Sequence, residues 1–448
     1  MYIRFYNCLV LSMKDDDNGE LLPPFKGEVW IKDERIVNVI HTDNDDLPTN
    51  DYGNCNSCNN NGSSASSHFD REIDLQGNLI MPGFKNAHTH SPMTFLRSMA
   101  DDLPLSDWLN NIIFPREAKL SPEDVYYFTK IAVMEYLSSG VTSVFDMYFY
   151  QDYVAKAFTD CGMRAVLASP LNNFTENPQI MADNYEKFNN YNPLISYQLG
   201  FHAQYTTSNE YLRETAKIAN HYKAPVYCHN SETKAEVMEC IEANKVTPTR
   251  LMEDMGLFQY GGGGFHCNYL NEDDINIFKN RGLSIVSNPA SNAKLASGIC
   301  PLKKYLDTGI NIALGTDGPA SNNALDMFRE MYLAAVLAKL KTEDACAIDA
   351  TNILKMATLG GAKAMNLKDL DYVTPGQIAD LIVINLQQPN MQPITNITKS
   401  LVYCAGKSNV YLTMINGKIL YENGQFYLDE TPEQIYKMAE KSMKNMSI

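Results

Sequence analysis

The spacing of apolar residues divides the chain into three parts. In the first 40 residues, short runs such as Gly27 to Ile31 and Arg35 to Ile40 alternate apolar and polar positions, which is typical of half-buried strands. From residue 79 to about 366, short β-rich apolar runs alternate with longer stretches of helical period. After about residue 367 short strands return, and Asn416-Gly417 between two of them predicts a hairpin.

The central part contains eight apolar runs that predict the strands of βα units with parallel pairing. They are Leu79 to Met81 leading into His88, Val141 to Met147, Arg164 to Ser169, Ile195 to Ala203, Pro225 to His229, Gly264 to Cys267, Leu283 to Ser287 and Asn311 to Gly315. Between the first two, Ser121-Pro122 predicts the start of a helix, with serine as N-cap. The pattern predicts an α/β protein with a (β/α)8 barrel over residues 81–366.

The two ends of the chain are predicted to form one small β-sandwich domain, from residues 1–80 and 367–448, with a surface helix over Thr431 to Met446. Residues 41–71 are rich in Asn, Asp, Ser and Gly and predict a mobile insertion. Cys55 and Cys58 in this segment could bind metal, but no second pair accompanies them, so we assign them no function.

Composition narrows the class of protein. With 37 Lys+Arg against 53 Asp+Glu the formal net charge is -16, which argues against nucleic acid or an anionic membrane as a partner. No apolar run approaches the roughly 20 residues needed to cross a bilayer. The ten cysteines lack the dense spacing of a disulfide scaffold, so we expect reduced thiols and a cytoplasmic protein.

The histidines concentrate at predicted strand ends. Five of the eight lie there, and the other three fall in the insertion or a helix; the five are His88, His90, His202, His229 and His266. A lone histidine of this kind is more often a hydrogen-bonded core group. Five on the rim where barrel enzymes have their active sites favour a functional cluster.

Three of these histidines and one aspartate have the chemistry of a metal site. His88 and His90 end strand one with the i, i+2 spacing that puts both rings on one face, His229 ends strand five, and Asp317 follows strand eight. Three neutral imidazoles and a carboxylate suit a catalytic divalent ion, most often zinc, although iron and nickel also fit. A turn role is the alternative for Asp317.

Glu232 and His266 are candidates for proton transfer. Glu232 lies three residues beyond His229, where a carboxylate could take a proton from water and deliver it to a substrate. The alternative is a helix-start glutamate that complements the helix dipole. His266 could orient the attacking water or polarise the attacked centre.

The motifs at the strand ends resemble those of one known family. They are Pro82-Gly83-Phe84-x-Asn86-x-His88-x-His90, His229-x-x-Glu232, Phe265-His266-Cys267, Ser287-Asn288-Pro289-x-Ser291-Asn292-x-Lys294-Leu295-Ala296-Ser297-Gly298, Leu314-Gly315-Thr316-Asp317-Gly318 and Gly376-x-x-Ala379-Asp380-Leu381. Together they resemble the amidohydrolase superfamily, in the branch of 5-methylthioadenosine/S-adenosylhomocysteine deaminases and the related triazine hydrolases. The similarity covers nearly the whole chain except the insertion.

The resemblance implies a metal-dependent hydrolytic deaminase of adenosine-type nucleosides that is often a homodimer or homotetramer. It implies one divalent ion on the four ligands named above, Glu232 as the donor to a ring nitrogen, and Asp317 as the acceptor of the proton of the attacking hydroxide. Glu117 matches the residue that binds ribose hydroxyls, and His202 and Trp108 match residues of the nucleoside pocket, although Trp108 could simply belong to the core.

One departure from the family pattern concerns substrate charge. The members that use S-adenosylhomocysteine are expected to have an arginine just after strand three, where this chain has Ser169. No arginine occurs between Arg164 and Arg213. A buried substrate carboxylate would lack its bidentate partner there, so we expect a preference for uncharged substrates such as methylthioadenosine, adenosine or 5'-deoxyadenosine.

Other functions compatible with the motifs are the hydrolysis of a pterin, guanine or triazine at the same site, and a non-catalytic scaffold with the amidohydrolase fold. The deaminase architecture based on His-x-Glu is excluded because no such tripeptide occurs. The run Gly261 to Gly264 lacks the Lys-Ser/Thr of a phosphate-binding loop, and we expect a flexible loop on the rim opposite the chemistry.

Overall fold

A parallel barrel forms the centre of the molecule. The computed structural model describes residues 1–42, 68–99, 101–103 and 107–446. Eight neighbouring strands follow one another in chain order around the barrel. They are β6 (Phe84–Thr89), β7 (Val141–Met147), β8 (Arg164–Ala168), β9 (Ile195–Ala203), β10 (Val226–Asn230), β11 (Gly262–His266), β12 (Ser284–Ser287) and β13 (Asn311–Leu314). The predicted fold is confirmed.

Side-chain hydrogen bonds link the first and last barrel strands. Asn86 donates from Nδ2 to Oγ1 of Thr316 at 2.7 Å, and its Oδ1 accepts from the Thr316 backbone at 2.9 Å. One residue on, the backbone N–H of Asp317 donates to the carbonyl of His88 at 3.0 Å. This seam places the His-x-His motif of strand one directly beside Asp317.

The strands at the two ends of the chain pair in one mixed sheet, as the sequence predicts. Asn416 and Gly417 form the turn between its antiparallel strands β15 (Val410–Ile415) and β16 (Lys418–Glu422). The strands of this sheet are β1 (Tyr2–Val10), β2 (Phe25–Lys32), β3 (Arg35–His41), β4 (Arg71–Asp74), β5 (Leu79–Pro82), β14 (Leu381–Ile384), β15 (Val410–Ile415), β16 (Lys418–Glu422) and β17 (Gln425–Phe426). Most of the predicted insertion, residues 43–67 with Cys55 and Cys58, lies outside the described residues.

Helices cover the outside of the barrel and fill its loops. The predicted N-cap Ser121 is confirmed, because its hydroxyl accepts from the backbone of Asp124 in a capping box. The α-helices are α1 (Phe114–Glu117), α2 (Pro122–Ser138), α3 (Gln151–Asp160), α4 (Pro178–Phe188), α5 (Asn209–Tyr222), α6 (Lys234–Asn244), α7 (Pro248–Asp254), α8 (Glu272–Arg281), α9 (Pro289–Lys294), α10 (Leu302–Asp307), α11 (Pro319–Asn322), α12 (Met327–Thr342), α13 (Ala350–Lys355), α14 (Gly361–Ala364), α15 (Ile397–Tyr403) and α16 (Pro432–Asn445).

Shorter helical segments complete the described structure. Two are π-helices, Trp108–Ile113 and Met356–Gly360. The others are 3-10 helices at Ser91–Leu96, Gln204–Thr206, Pro389–Met391 and Lys407–Asn409. Among the helices of the described ranges, none is both long enough and apolar enough to cross a membrane.

Two sequence expectations about the strands were wrong. The run predicted as the start of barrel strand one belongs to the terminal sheet, where Leu79–Pro82 pairs with β14, and the barrel strand begins afresh at Phe84. The glycine run is not a flexible loop, since Gly262 to Gly264 lie inside the buried strand β11. A Cβ at Gly262 would lie 1.9 Å from the carbonyl oxygen of Val226, so the close approach of neighbouring strands requires glycine there.

Candidate metal and substrate site

The predicted metal ligands converge at the carboxyl ends of the barrel strands. One ligand atom each from His88, His229, His266 and Asp317 lie within 4.8 Å of one another. His90 stands at the edge of this cluster, with Nε2 3.3 Å from Oδ1 of Asp317, against 3.5 Å for Nε2 of His88. Four histidines therefore surround Asp317, and the five side chains could share one ion.

Backbone and amide oxygens orient three of the four imidazoles. Nδ1 of His90 lies 2.6 Å from the carbonyl oxygen of Met147, and Nδ1 of His229 lies 2.7 Å from that of His202. Nδ1 of His266 lies 2.7 Å from Oδ1 of Asn292. Because a carbonyl oxygen only accepts, Nδ1 of these rings carries the proton and Nε2 presents a lone pair.

The carboxylate of Asp317 is fixed by hydroxyl groups from two short helices, α9 and α11. Oδ2 accepts from Oγ of Ser291 at 2.6 Å and from Oγ of Ser321 at 3.0 Å. Oδ1 accepts from the backbone N–H of Gly318 at 2.8 Å and faces the histidines. A role in the turn alone does not explain why Oδ1 points towards the histidines. In this orientation Oδ1 is available to a cation or a proton.

The electrostatics of the cluster favour neutral rings at His88 and His229 beside an ionised Asp317. At His90 burial lowers the pKa, but the hydrogen bond to Asp317 and the charge of Asp317 together outweigh burial and raise the pKa. Burial lowers the pKa of His88 to about 3, and burial also holds the pKa of His229 well below its usual range. Burial opposes ionisation of Asp317, but the imidazoles of His88 and His90 outweigh it and hold its pKa well below the usual range. Neutral imidazoles and a carboxylate are the forms that bind a metal.

His88 provides a structural test of whether this cluster fits a metal. Its ring is completely buried, and neither Nδ1 nor Nε2 has a hydrogen-bond partner among the described residues. A buried nitrogen without a partner costs free energy of about 1–3 kcal/mol, and a coordinate bond would supply the missing interaction. The residues present therefore fit a divalent ion.

Glu232 is buried next to the cluster and is held by a serine. Its Oε1 accepts from Oγ of Ser297 at 2.8 Å, and its Oε2 lies 3.8 Å from Nε2 of His266. The helix-start role considered for Glu232 belongs instead to Glu236, whose side chain forms the capping box with Thr233 at the start of α6. Glu232 is thus free for chemistry at the cluster.

One pocket joins the cluster to the predicted substrate residues. Glu117, His202 and Trp108 all line it, together with Glu232 and Asp317. Trp108 is also buried in the core, so its position is compatible with a role in substrate binding and with a role in packing. Nδ1 of His202 bonds Oγ1 of Thr206 at 2.9 Å, and burial lowers the pKa of His202 to about 4, which leaves a neutral ring facing the pocket.

Ser169 lies at the end of β8 and is completely buried. Its Oγ donates to Oε2 of Glu176 at 2.7 Å and accepts from the backbone of Leu171 at 3.0 Å. Burial raises the pKa of Glu176 to about 7. The contact between Ser169 and Glu176 lies behind the pocket wall, which is formed here by Pro170, Asn172 and Thr175.

Sequence reasoning did not assign roles to several residues that hold the site. Ser297 and Asn292 were named only as members of a motif, and Tyr148, which contacts Glu117, was not singled out. The sequence feature that could have indicated Ser297 and Asn292 is the polar run after strand seven, Ser287 to Ser297. It contains more hydroxyl and amide groups than the start of a helix requires. A run of small polar side chains next to a strand end indicates support for neighbouring ligands.

Comparisons with known proteins agree with this geometry. A model of the amidohydrolase family matches residues 79–420. A 5-methylthioadenosine/S-adenosylhomocysteine deaminase of Thermoanaerobacter pseudethanolicus is 40% identical over 385 residues, which cover 84% of this chain and 89% of the relative. A 5'-deoxyadenosine deaminase of Methanothermobacter thermautotrophicus is 36% identical over 420 residues, which cover 92% of each chain.

Solved structures show the same architecture. The crystal structure of an adenosine deaminase from Xanthomonas campestris with bound zinc has a TM-score of 0.86 and 30% identity, and the match covers 100% of this chain and 98% of that one. An atrazine chlorohydrolase from Arthrobacter aurescens shares the fold with a TM-score of 0.83 at 21% identity, over 99% and 100% of the two chains. The chain therefore belongs to the amidohydrolase family, and within it to the deaminase branch that its motifs indicate.

Proposed function

We propose that this protein is a metal-dependent hydrolytic deaminase of adenosine-type nucleosides, which converts them to the inosine analogue and ammonia. One observation carries the proposal: Glu232 and Glu117 line the same pocket as four members of the metal-type cluster, namely His90, His229, His266 and Asp317. A group that moves protons and a group that accepts hydroxyls therefore face one bound molecule. The names of the relatives support it, since they act on 5'-deoxyadenosine, 5-methylthioadenosine or S-adenosylhomocysteine.

His88, His90, His229 and Asp317 would hold one divalent ion. Zinc is the proposed ion because the Xanthomonas campestris adenosine deaminase structure contains it, and Fe²⁺ and Ni²⁺ suit the same ligands. His266 also belongs to the cluster, but its Nε2 faces Glu232, and so we assign it to the reaction. The ion, when bound, would supply a water made acidic enough to attack at neutral pH.

The residues of the chain would move the protons. Glu232 takes a proton from the attacking water and delivers it to the purine ring nitrogen next to the amino-bearing carbon, while Nε2 of His266 accepts a hydrogen bond from that water and orients it. After the hydroxide has added to the carbon, Asp317 accepts the remaining hydroxyl proton and passes it to the amino group. The C–N bond then breaks, a carbonyl group forms at the carbon, and the amino group leaves as ammonia.

Glu117 would accept hydroxyl groups of the ribose, while His202 and Trp108 contact the nucleoside. Ser169 offers no positive charge to a substituent at the 5' position, and we propose that neutral substituents are preferred. Assembly as a homo-oligomer and a cytoplasmic location stay predictions.

The proposal is tested by measuring ammonia release and the accompanying ultraviolet change with metal-analysed protein. The panel is adenosine, methylthioadenosine, 5'-deoxyadenosine, S-adenosylhomocysteine, guanine, a pterin and a triazine. Turnover of the adenosines supports the proposal. Turnover of the pterin, guanine or triazine alone would contradict the nucleoside assignment while keeping the metal site.

A further inference from the structure

Tyr148 forms a pair with Glu117 inside the substrate pocket. The phenol of Tyr148 donates a hydrogen bond to Oε1 of Glu117 at 2.7 Å, and both side chains line the pocket. Tyr148 is only 3% exposed. Glu117 is half-buried, so part of its carboxylate remains open to a ligand.

The position of Tyr148 is fixed by its neighbours. It follows the last residue of β7, Met147, whose carbonyl oxygen orients His90. Its ring stacks on that of Phe149, with centroids 4.2 Å apart and an angle of 23° between the planes. The pair with Glu117 is therefore built on a barrel strand, close to the cluster, and needs no movement to form.

Hydrogen-bonding capacity decides what such a pair can bind. The one proton of the phenol is used on Glu117, and burial together with the nearby carboxylate raises the pKa of Tyr148 well above its usual range, which keeps that proton in place. The phenol oxygen still accepts, and so does Oε2 of Glu117. The pocket thus presents two adjacent acceptors from different elements, α1 and the end of β7.

We infer that Tyr148 and Glu117 together bind two neighbouring hydroxyl groups of one ligand, the 2' and 3' hydroxyls of a ribose. Tyr148 is then a specificity-determining residue that makes the pocket select ribosides over deoxyribosides. This inference rests on the proposed nucleoside function and adds to it a second hydroxyl acceptor. The inference does not concern the substituent at the 5' position of the ribose.

The test removes a hydroxyl group from the ligand, removes the hydroxyl group of Tyr148, and compares the effects of the two changes made separately and together. Dissociation constants of purine riboside, its 2'-deoxy analogue and its 3'-deoxy analogue are measured by calorimetry for the wild type and Tyr148→Phe. Loss of the acceptor should weaken riboside binding about tenfold, the size of an ordinary buried hydrogen bond. For the analogue that lacks the hydroxyl bound by Tyr148, the substitution should change the dissociation constant less than about threefold. For the other analogue, the dissociation constant should rise about as much as it does for the riboside.

Tyr205→Phe is the matched control, because Tyr205 lines the same pocket from the segment after β9. Tyr205→Phe should change the dissociation constants of the three ligands by the same factor. Metal content and thermal midpoint of each variant establish that the site is intact. Equal weakening of all three ligands by Tyr148→Phe, or no measurable riboside binding by the wild type, overturns the inference.

The failure of the proposed function has a different signature. In that case the wild type binds purine riboside with the expected hydroxyl dependence but releases no ammonia from adenosine. Riboside binding would then support the Tyr148 inference, while the absence of ammonia release would contradict deamination.

Discussion

Ser297 donates a hydrogen bond from Oγ to Oε1 of Glu232 over 2.8 Å. The serine lies beyond α9, after strand seven, and the glutamate follows strand five, so the bond joins two loops of the active-site rim. The other carboxylate oxygen of Glu232 faces His266. Ser297 therefore fixes the direction in which Glu232 presents its reactive oxygen.

Ser297→Ala should lower kcat about tenfold and change KM little. The loss of one hydrogen bond to a charged group lets the Glu232 carboxylate rotate away from the substrate. The measurement is steady-state kinetics with one adenosine substrate, together with metal analysis that should match the wild type. Ser138→Ala, a change on helix α2 outside the pocket, is the control. A tenfold rise in KM at unchanged kcat would contradict this role.

Two histidine variants distinguish the proposed ligands from the proposed reaction residue. His90→Ala should lose most of the bound metal, since His90 is assigned as a ligand. His266→Ala should keep about one equivalent of metal and lose about a hundredfold or more in kcat, the usual contribution of a proton-handling group. Metal content is measured by elemental analysis after dialysis. If His266→Ala lost the metal and His90→Ala kept it, His266 would be the ligand and His90 the reaction residue.

The ionisation of Glu117 predicts the pH dependence of nucleoside binding. Burial raises its pKa to about 7, although the hydrogen bond from Tyr148 and the charge of His90 act in the opposite direction. A protonated carboxyl accepts hydroxyls less well. KM for adenosine should therefore rise as pH falls through about 7 and stay constant above about 8.

Glu117 variants provide the control for this pH effect. In Glu117→Gln the dependence of KM on pH around 7 should disappear. Glu117→Ala should weaken nucleosides far more than free bases such as adenine. An equal loss for nucleosides and bases would count against ribose recognition by Glu117.

The buried Lys85 predicts a change of stability with pH. Its Nζ donates to the carbonyl of Gly83 and to Oγ1 of Thr142, both at 3.0 Å, and burial lowers its pKa from 10.5 to about 8. Between these two values the unfolded chain binds more protons than the folded one, so stability rises with pH. The free energy of unfolding of the wild type, relative to Lys85→Met, should increase by about 3 kcal/mol at most from pH 8 to 10.5.

Urea unfolding of the two proteins across this pH range measures the effect. Comparison with Lys85→Met removes the contributions of other groups that titrate in the same range. A difference that is independent of pH, or that falls as pH rises, would contradict the assignment of a lowered pKa to Lys85.

The charge of the 5' substituent should govern the choice of substrate. Ser169 pairs with Glu176 and supplies no cation for a carboxylate. We expect kcat/KM for methylthioadenosine to exceed that for S-adenosylhomocysteine about tenfold or more, the value of a missing charge-assisted hydrogen bond. The amide of S-adenosylhomocysteine has nearly the same size but lacks the carboxylate charge. Its kcat/KM should therefore approach that of methylthioadenosine. Comparable values for the two natural compounds would remove this prediction.

The sequence was sufficient for the strand-end residues because parallel βα units fix where each strand ends. The sequence alone places His88, His229 and Asp317 on one rim, since each follows an apolar run. The position of Glu117 in the same pocket came only from family resemblance, because α1 carries no pattern that points its side chain inward.

Other features depended on contacts that a pattern cannot show. Leu79 to Met81 has the composition of a buried strand in either sheet, and only the pairing of Leu79–Pro82 with β14 decides between them. The glycine run resembled a loop because glycine is frequent in loops, whereas here the approach of Val226 to within 1.9 Å of a Cβ at Gly262 requires it. Ser297 and Tyr148 gain their roles from partners 65 and 31 residues away.

The central claim is that the metal-type cluster and Glu232 act together to deaminate an adenosine. The most direct measurement is the rate of ammonia release from methylthioadenosine by zinc-reconstituted wild type and by zinc-reconstituted Glu232→Gln. We predict turnover by the wild type, and a rate lower by a factor of about a hundred or more in the variant at the same zinc content. No ammonia release by the zinc-loaded wild type, or equal rates for the two proteins, would contradict the account.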